Sequence, residues 1–212
     1  MAKEKLIYIM DPHCLRSYAN EGAVKELYRS IKDKYNFEVL PGGMWRKENA
    51  PRGGKAMKGF IQPLLDQDNI ADSYFDLIQD ATYLLASDWP SQAIVAIKEI
   101  QEEKTLDFAY ALMKQQFSIG KRYDIERTYL DAMDSIDLDL NDFAKKWKSD
   151  EMSTKTQHSF QRAKNFSSHF PSLILEHDKG FKVVRTGVFR AREVEKELLD
   201  RIDQRMIKHQ VA

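Results

Sequence analysis

The chain has 212 residues, 42% hydrophobic and 31% charged, with 33 Lys plus Arg against 33 Asp plus Glu. That length supports one sizeable core or two small ones, and a formal charge of zero supplies no long-range field favouring nucleic acid or an anionic membrane. The N-terminal "LIYIM" is too short for a signal-peptide apolar region, so neither export nor a membrane span is expected, and a single cysteine without such a signal points to a reducing cytoplasm with no intramolecular disulfide.

"KLIYIM" is compact, β-branched and aromatic, and is followed by Asp-Pro, the pattern of a buried strand ending in a turn. Cys14 then opens a helix. From Ala19 to Lys34 the apolar positions Ala23, Val24, Leu27 and Ile31 recur at helical spacing, with Glu21 and Lys25 placed for an i,i+4 pair. "FEVLPGG" reads as a second strand that stops at Gly42 and Gly43. Strand, helix, strand over this length implies parallel pairing through a right-handed crossover.

The middle of the chain, from Ala50 to Asn165, has few β signals and many helix-period stretches, such as "PSQAIVAIKEIQEE" with proline at an early helical position. Helices are predicted near 55–66, 71–80, 89–102, 105–118, 124–135, 139–149 and 151–166. "FPSLILEHDKGFKVVRTG" then carries a hairpin signal, with "HDKG" between two apolar runs, and a charged amphipathic helix over 191–208 closes the chain. The order is βαβ, helices, ββα. That is an α/β chain in which residues 46–166 form a helical insertion domain and residues 1–45 and 167–212 form the split-sheet domain.

A cysteine at a strand-to-helix junction has a chemical consequence. The first helical N–H groups are unpaired and the dipole presents partial positive charge there, which stabilises a thiolate. Arg16 and His13 are placed to add to this effect.

With Cys14 at the start of the first helix, this order of elements resembles the thioredoxin fold of the DsbA family, and most closely its cytoplasmic FrnE-like branch. The branch pattern is an apolar strand followed by Asp-Pro-x-Cys-x-x-Cys, which "YIMDPHCLRS" follows except at its last position. "LPGG" after the second strand and "FPSLIL" at the third are similar as well. The resemblance implies that Pro171 is a cis-proline facing Cys14, that Phe170 and His13 help bind substrate, and that Cys14 and Ser17 form the catalytic pair; Phe170, an aromatic before a strand, also reads simply as core. Ser17 stands where the family has its resolving cysteine. One thiol cannot store an internal disulfide, so the implied chemistry is monothiol exchange with protein or small-molecule disulfides. Glutathione would serve as co-substrate and not as a tightly bound cofactor. The Ser17 hydroxyl is placed one turn from Cys14, where it could donate to the thiolate, or it is simply a small residue near a helix start.

Other residues read more plainly. His13 by itself is an exposed turn residue, and His158, His169, His177 and His209 show no metal spacing, so no metal site is expected. "PRGGKAMKG" lacks the spacer and hydroxyl residue of a phosphate loop and reads as a loop leading into a helix. Trp45, Trp89 and Trp147 are expected in the core of the insertion. A homodimer is left open, without a heptad run to specify one. Two other functions compete. One is a redox-inactive adaptor holding a partner peptide on a degenerate fold. The other is a glutathione-dependent transferase or isomerase of the kappa-class type, which usually has serine where Cys14 stands.

Overall fold

The computed structural model describes residues 3–54, 57, 70–138, 141 and 143–210, with side chains described as far as Arg201. The predicted helix near 55–66 lies outside these residues except for Met57, which is helical and buried. Strand β1 (Lys5–Met10) leads through a turn to α1 (Leu15–Ala19), α2 (Glu21–Ile31) and β2 (Asn36–Pro41). Helices α3 (Asp72–Gln79), α4 (Asp88–Ile100), α5 (Thr105–Phe117), α6 (Glu126–Asp134), α7 (Phe143–Trp147) and α8 (Asp150–Phe166) follow. Strands β3 (Ser172–His177) and β4 (Gly180–Thr186) and helix α9 (Ala191–Gln210) complete the chain.

The strands form one sheet in the order β2-β1-β3-β4. β1 and β2 run parallel, and the other pairings are antiparallel. The continuous apolar run of β1 is explained by burial on both faces. Leu6, Tyr8 and Met10 join the large core shared with α2, α9 and the helical insertion, whereas Ile7 and Ile9 face a smaller core with Leu40, Ala163 and Ile174. Helix α8 covers that second face. It starts on Ser149, whose Oγ accepts from the Met152 N–H at 3.3 Å, with Asp150 and Glu151 in the first turn to complement the dipole. The β3–β4 hairpin turns through Asp178 and Lys179 into Gly180, whose φ of +127° is open to glycine and rare for other residues.

The sequence predicts one helix from Ala19 to Lys34 after the cysteine. The structure divides this region at Asn20, which closes α1 and precedes α2. Asn20 Nδ2 donates to the Gly187 carbonyl at 3.1 Å, and its Oδ1 accepts the Phe189 N–H at 3.1 Å. A single buried amide thus ties the cysteine helix to the loop after β4. The tryptophan expectation needs correction. Trp147 is core, but Trp89 is 46% exposed, because its neighbours on α4 are buried around Pro90 and Ala93 and it points off that face. Gly53 of "PRGG" owes its place to packing, since a Cβ there would lie 2.2 Å from the Asp80 carbonyl oxygen.

Candidate active site

The site lies at the carboxyl end of β1. Asp-Pro makes the turn expected of it: the Asp11 side chain accepts the His13 N–H at 2.9 Å, and the Asp11 carbonyl accepts the Cys14 N–H at 2.9 Å. Cys14 is left as the N-terminal cap of α1, with its own carbonyl accepting the Tyr18 N–H at 3.1 Å. Its Sγ faces the carbonyl of Phe170 at 3.6 Å, across a peptide bond to Pro171 that is cis. Cys14, Phe170 and Pro171, separated by more than 150 residues of sequence, therefore meet.

"LPGG" explains how Phe170 is held. Its ring lies over Gly42, where a Cβ would sit 1.9 Å from the ring edge, and the Phe160 ring lies over Gly43, whose φ is +67°. The Phe170 side chain packs, partly buried, against the smaller core, and its backbone carbonyl faces the cysteine. The Pro171 carbonyl accepts the Gly187 N–H at 2.8 Å, which leaves the Phe170 carbonyl as the polar group presented to Sγ.

Ser17 is wholly buried. Its Oγ accepts the Asp11 N–H at 3.5 Å, which leaves the hydroxyl proton to point toward Cys14. Two phenols fix this turn from below: Tyr8 donates to the Ser17 carbonyl at 3.3 Å, and Tyr110 donates to Tyr8 at 3.1 Å.

The electrostatics differ from the expectation at two residues. Cys14 is only 7% exposed, and burial pushes its thiol above the ordinary value. The Ser17 hydroxyl and N–H and the Arg16 N–H pull it down, while the charge of Asp11 pushes it up. The helix start therefore moderates a shift that burial dominates, and Arg16 acts on the thiol through its backbone N–H. His13, expected as an exposed turn residue, is 2% exposed. Its Nε2 lies 3.2 Å from the Ala86 carbonyl and its Nδ1 lies 3.2 Å from the Gln116 amide nitrogen. A carbonyl only accepts and the amide nitrogen only donates, so the ring is neutral with its proton on Nε2. Burial drives its pKa down to about 3, the Ala86 bond opposing, so His13 carries no charge near neutral pH with which to tune the thiol. Both ring nitrogens are committed inside the protein.

The residue that sequence reasoning missed is Asp11. Read there as a turn former, it is fully buried, and three donors converge on its carboxylate. The Asp-Pro pair before the cysteine was its only sequence signal. Among the described residues no cluster of His, Cys, Asp and Glu could hold a metal ion.

No family model and no curated protein sequence matches the chain. Solved structures do. A protein from Nitrosomonas europaea with a provisional assignment as a protein disulfide isomerase superposes with a TM-score of 0.82 at 18% identity, covering 96% of this chain and 99% of its own. The cytosolic disulfide reductase DsbM from Pseudomonas aeruginosa gives 0.73 at 18% identity, covering 94% and 99%, and that protein is also known with GSH. DsbA from Pseudomonas aeruginosa gives 0.54 at 14% identity, covering 99% and 89%. With the sheet order, the helical insertion and the placement of Cys14 at the first helix, these likenesses show that the chain has the DsbA-like thioredoxin fold.

Proposed function

We propose that the protein is a monothiol disulfide-exchange enzyme acting through Cys14. The observation that carries this reading is the meeting of Cys14 Sγ with the Phe170 carbonyl beside cis-Pro171, with the Ser17 hydroxyl one turn along the helix. The Cys14 thiolate attacks one sulfur of a substrate disulfide, forming a mixed disulfide and releasing the other sulfur as a thiolate, which takes up a proton. A second thiol, such as glutathione, then attacks the mixed disulfide at the substrate sulfur. Cys14 leaves as thiolate, and the substrate is released joined to glutathione. Ser17 stabilises the Cys14 thiolate at both stages and forms no disulfide itself. An extended segment or glutathione would lie along the backbone at Phe170 and Pro171.

The neighbour known with GSH supports glutathione as the second thiol, and its description as cytosolic supports a reducing compartment. No described helix is long and apolar enough to cross a membrane. The split into a sheet domain and a 46–166 insertion, protein or small-molecule disulfides as partners, and Cys14 with Ser17 as the reacting pair belong to the same proposal.

One observation favours a second reading. The thiol is buried and its pKa is raised, as in a binding protein that has lost exchange chemistry. A glutathione-coupled disulfide reduction assay separates the two. Turnover that disappears in Cys14→Ala supports exchange; absence of turnover in the native protein supports the adaptor.

A further inference from the structure

The Asp11 carboxylate receives hydrogen bonds from three separate segments. Oδ1 accepts the His13 N–H at 2.9 Å and the Ser87 hydroxyl at 3.0 Å, and Oδ2 accepts the Met44 N–H at 2.7 Å. These donors belong to the cysteine turn, the residue that precedes α4, and the loop after "LPGG". The same residue's backbone serves the site directly, its carbonyl accepting the Cys14 N–H and its N–H donating to Ser17 Oγ. Among the described residues no cation pairs with it. The nearby cation, Arg46, is turned to Asp88, at 3.7 Å.

We propose that Asp11 is the positioning residue of the Cys14 site: its carboxylate locks the cysteine turn against two loops, and its charge adds to the burial that opposes ionisation of the thiol.

A carboxylate held only by neutral donors in a buried site is costly, and every donor on it must be kept in place to offset that cost. Burial pushes the Asp11 carboxyl up to about 6, against the bonds from Met44, His13 and Ser87, and the charge of Asp88 adds to the rise. His13 in the cysteine turn is neutral, and Tyr123 from the segment before α6 is a phenol held un-ionised by burial. Asp88 at the start of α4 is engaged by the Lys47 N–H at 2.9 Å and by Arg46. Cys14 is the remaining partner, and the negative charge of Asp11 opposes its ionisation. Protonating Asp11 therefore makes Cys14 a stronger acid.

The inference takes from the functional proposal only that Cys14 is the reactive thiol. Its test is the rate of iodoacetamide alkylation of Cys14 in the folded protein as a function of pH. In the native protein the logarithm of the rate falls with pH and then steps onto a shelf near pH 6, where Asp11 gains its proton. In Asp11→Asn the shelf is absent and the alkylation midpoint moves to lower pH, a like charge having been removed. Ser87→Ala takes one donor from the carboxylate and leaves the charge, so the shelf moves to higher pH. A profile in Asp11→Asn that superimposes on the native one overturns the proposal, as does a native profile with no shelf. Should Asp11→Asn fail to fold, carboxyl carbon NMR of the native protein decides: a midpoint near 6 supports the inference, and one near the ordinary value of about 4 overturns it. The readout needs no exchange activity. A coupled titration in a protein that reduces no disulfide refutes the enzyme reading alone, and disulfide reduction with an unchanged Asp11→Asn profile refutes the positioning role alone.

Discussion

Replacing Glu38 by glutamine tests how the second face of the sheet is held. Glu38 lies on β2 and is 6% exposed. It accepts from Lys98 on α4 at 2.5 Å and from Arg162 on α8 at 2.6 Å, and Lys5 on β1 approaches it at 3.5 Å. Burial pushes the carboxyl up, but the Arg162 bond and the Lys98 charge outweigh it, and the group titrates at about 2, below the ordinary 4.5. A folded pKa below the unfolded one adds stability that is present above the unfolded value and lost as pH falls through the folded one. At 1.36 kcal/mol per unit, the difference corresponds to roughly 3 kcal/mol at pH 7 and to about 1.4 kcal/mol at pH 3. Partial exposure of all three cations lowers the pH 7 figure to about 2–3 kcal/mol. Urea denaturation of native protein and Glu38→Gln at both pH values measures it. The variant is expected to be less stable by that amount at pH 7, with the gap less than half as large at pH 3. A gap that is the same at both pH values would refute the assignment of the stability to the ionised carboxylate.

Other outcomes follow from the same contacts. Ser17→Ala removes the hydroxyl that faces Cys14, so the alkylation midpoint moves to higher pH, whereas Ser17→Cys forms a reversible internal disulfide under oxidised glutathione, read by mass spectrometry with and without reductant; no disulfide there would contradict the site geometry. Gly42→Ala drives a Cβ to 1.9 Å from the Phe170 ring, and the overpacking costs about 1–3 kcal/mol in thermal or urea denaturation while changing Cys14 alkylation, because the displaced ring carries the carbonyl that faces Sγ. Nitrogen NMR of the His13 ring is expected to show a neutral Nε2–H form from pH 8 to pH 5. With its folded pKa depressed to about 3, His13 contributes stability that is present above its unfolded value near 6.5 and lost as pH falls toward 3.

The ends of the chain were the most legible in the sequence. Alternate residues of "KLIYIM" do enter two cores, and "HDKG" does turn a hairpin, because strand period and turn chemistry are local properties. Helices α3 to α6 and α8 also fall close to their predicted ranges, because their apolar residues recur at helical spacing. The break at Asn20 was not legible, because it depends on Gly187 and Phe189, more than 160 residues away. The same limit applies to the site. Cys14 is visible as the lone thiol at a helix start, but its acidity depends on burial by distant elements, and local charge alone gives the wrong sign. His13 looks like a solvated turn residue until Ala86 and Gln116 are brought to its two nitrogens. Asp11 is hidden for the same reason, its donors Met44 and Ser87 lying 33 and 76 residues along the chain.

The central claim is that Cys14, although buried at rest, exchanges with disulfides in the folded protein. Incubating native protein with oxidised glutathione at neutral pH and measuring intact and peptide masses tests it directly. The account predicts one glutathionyl group on Cys14, removed by excess reduced glutathione with the fold retained throughout. An adduct that forms only after the protein is unfolded in urea would contradict it.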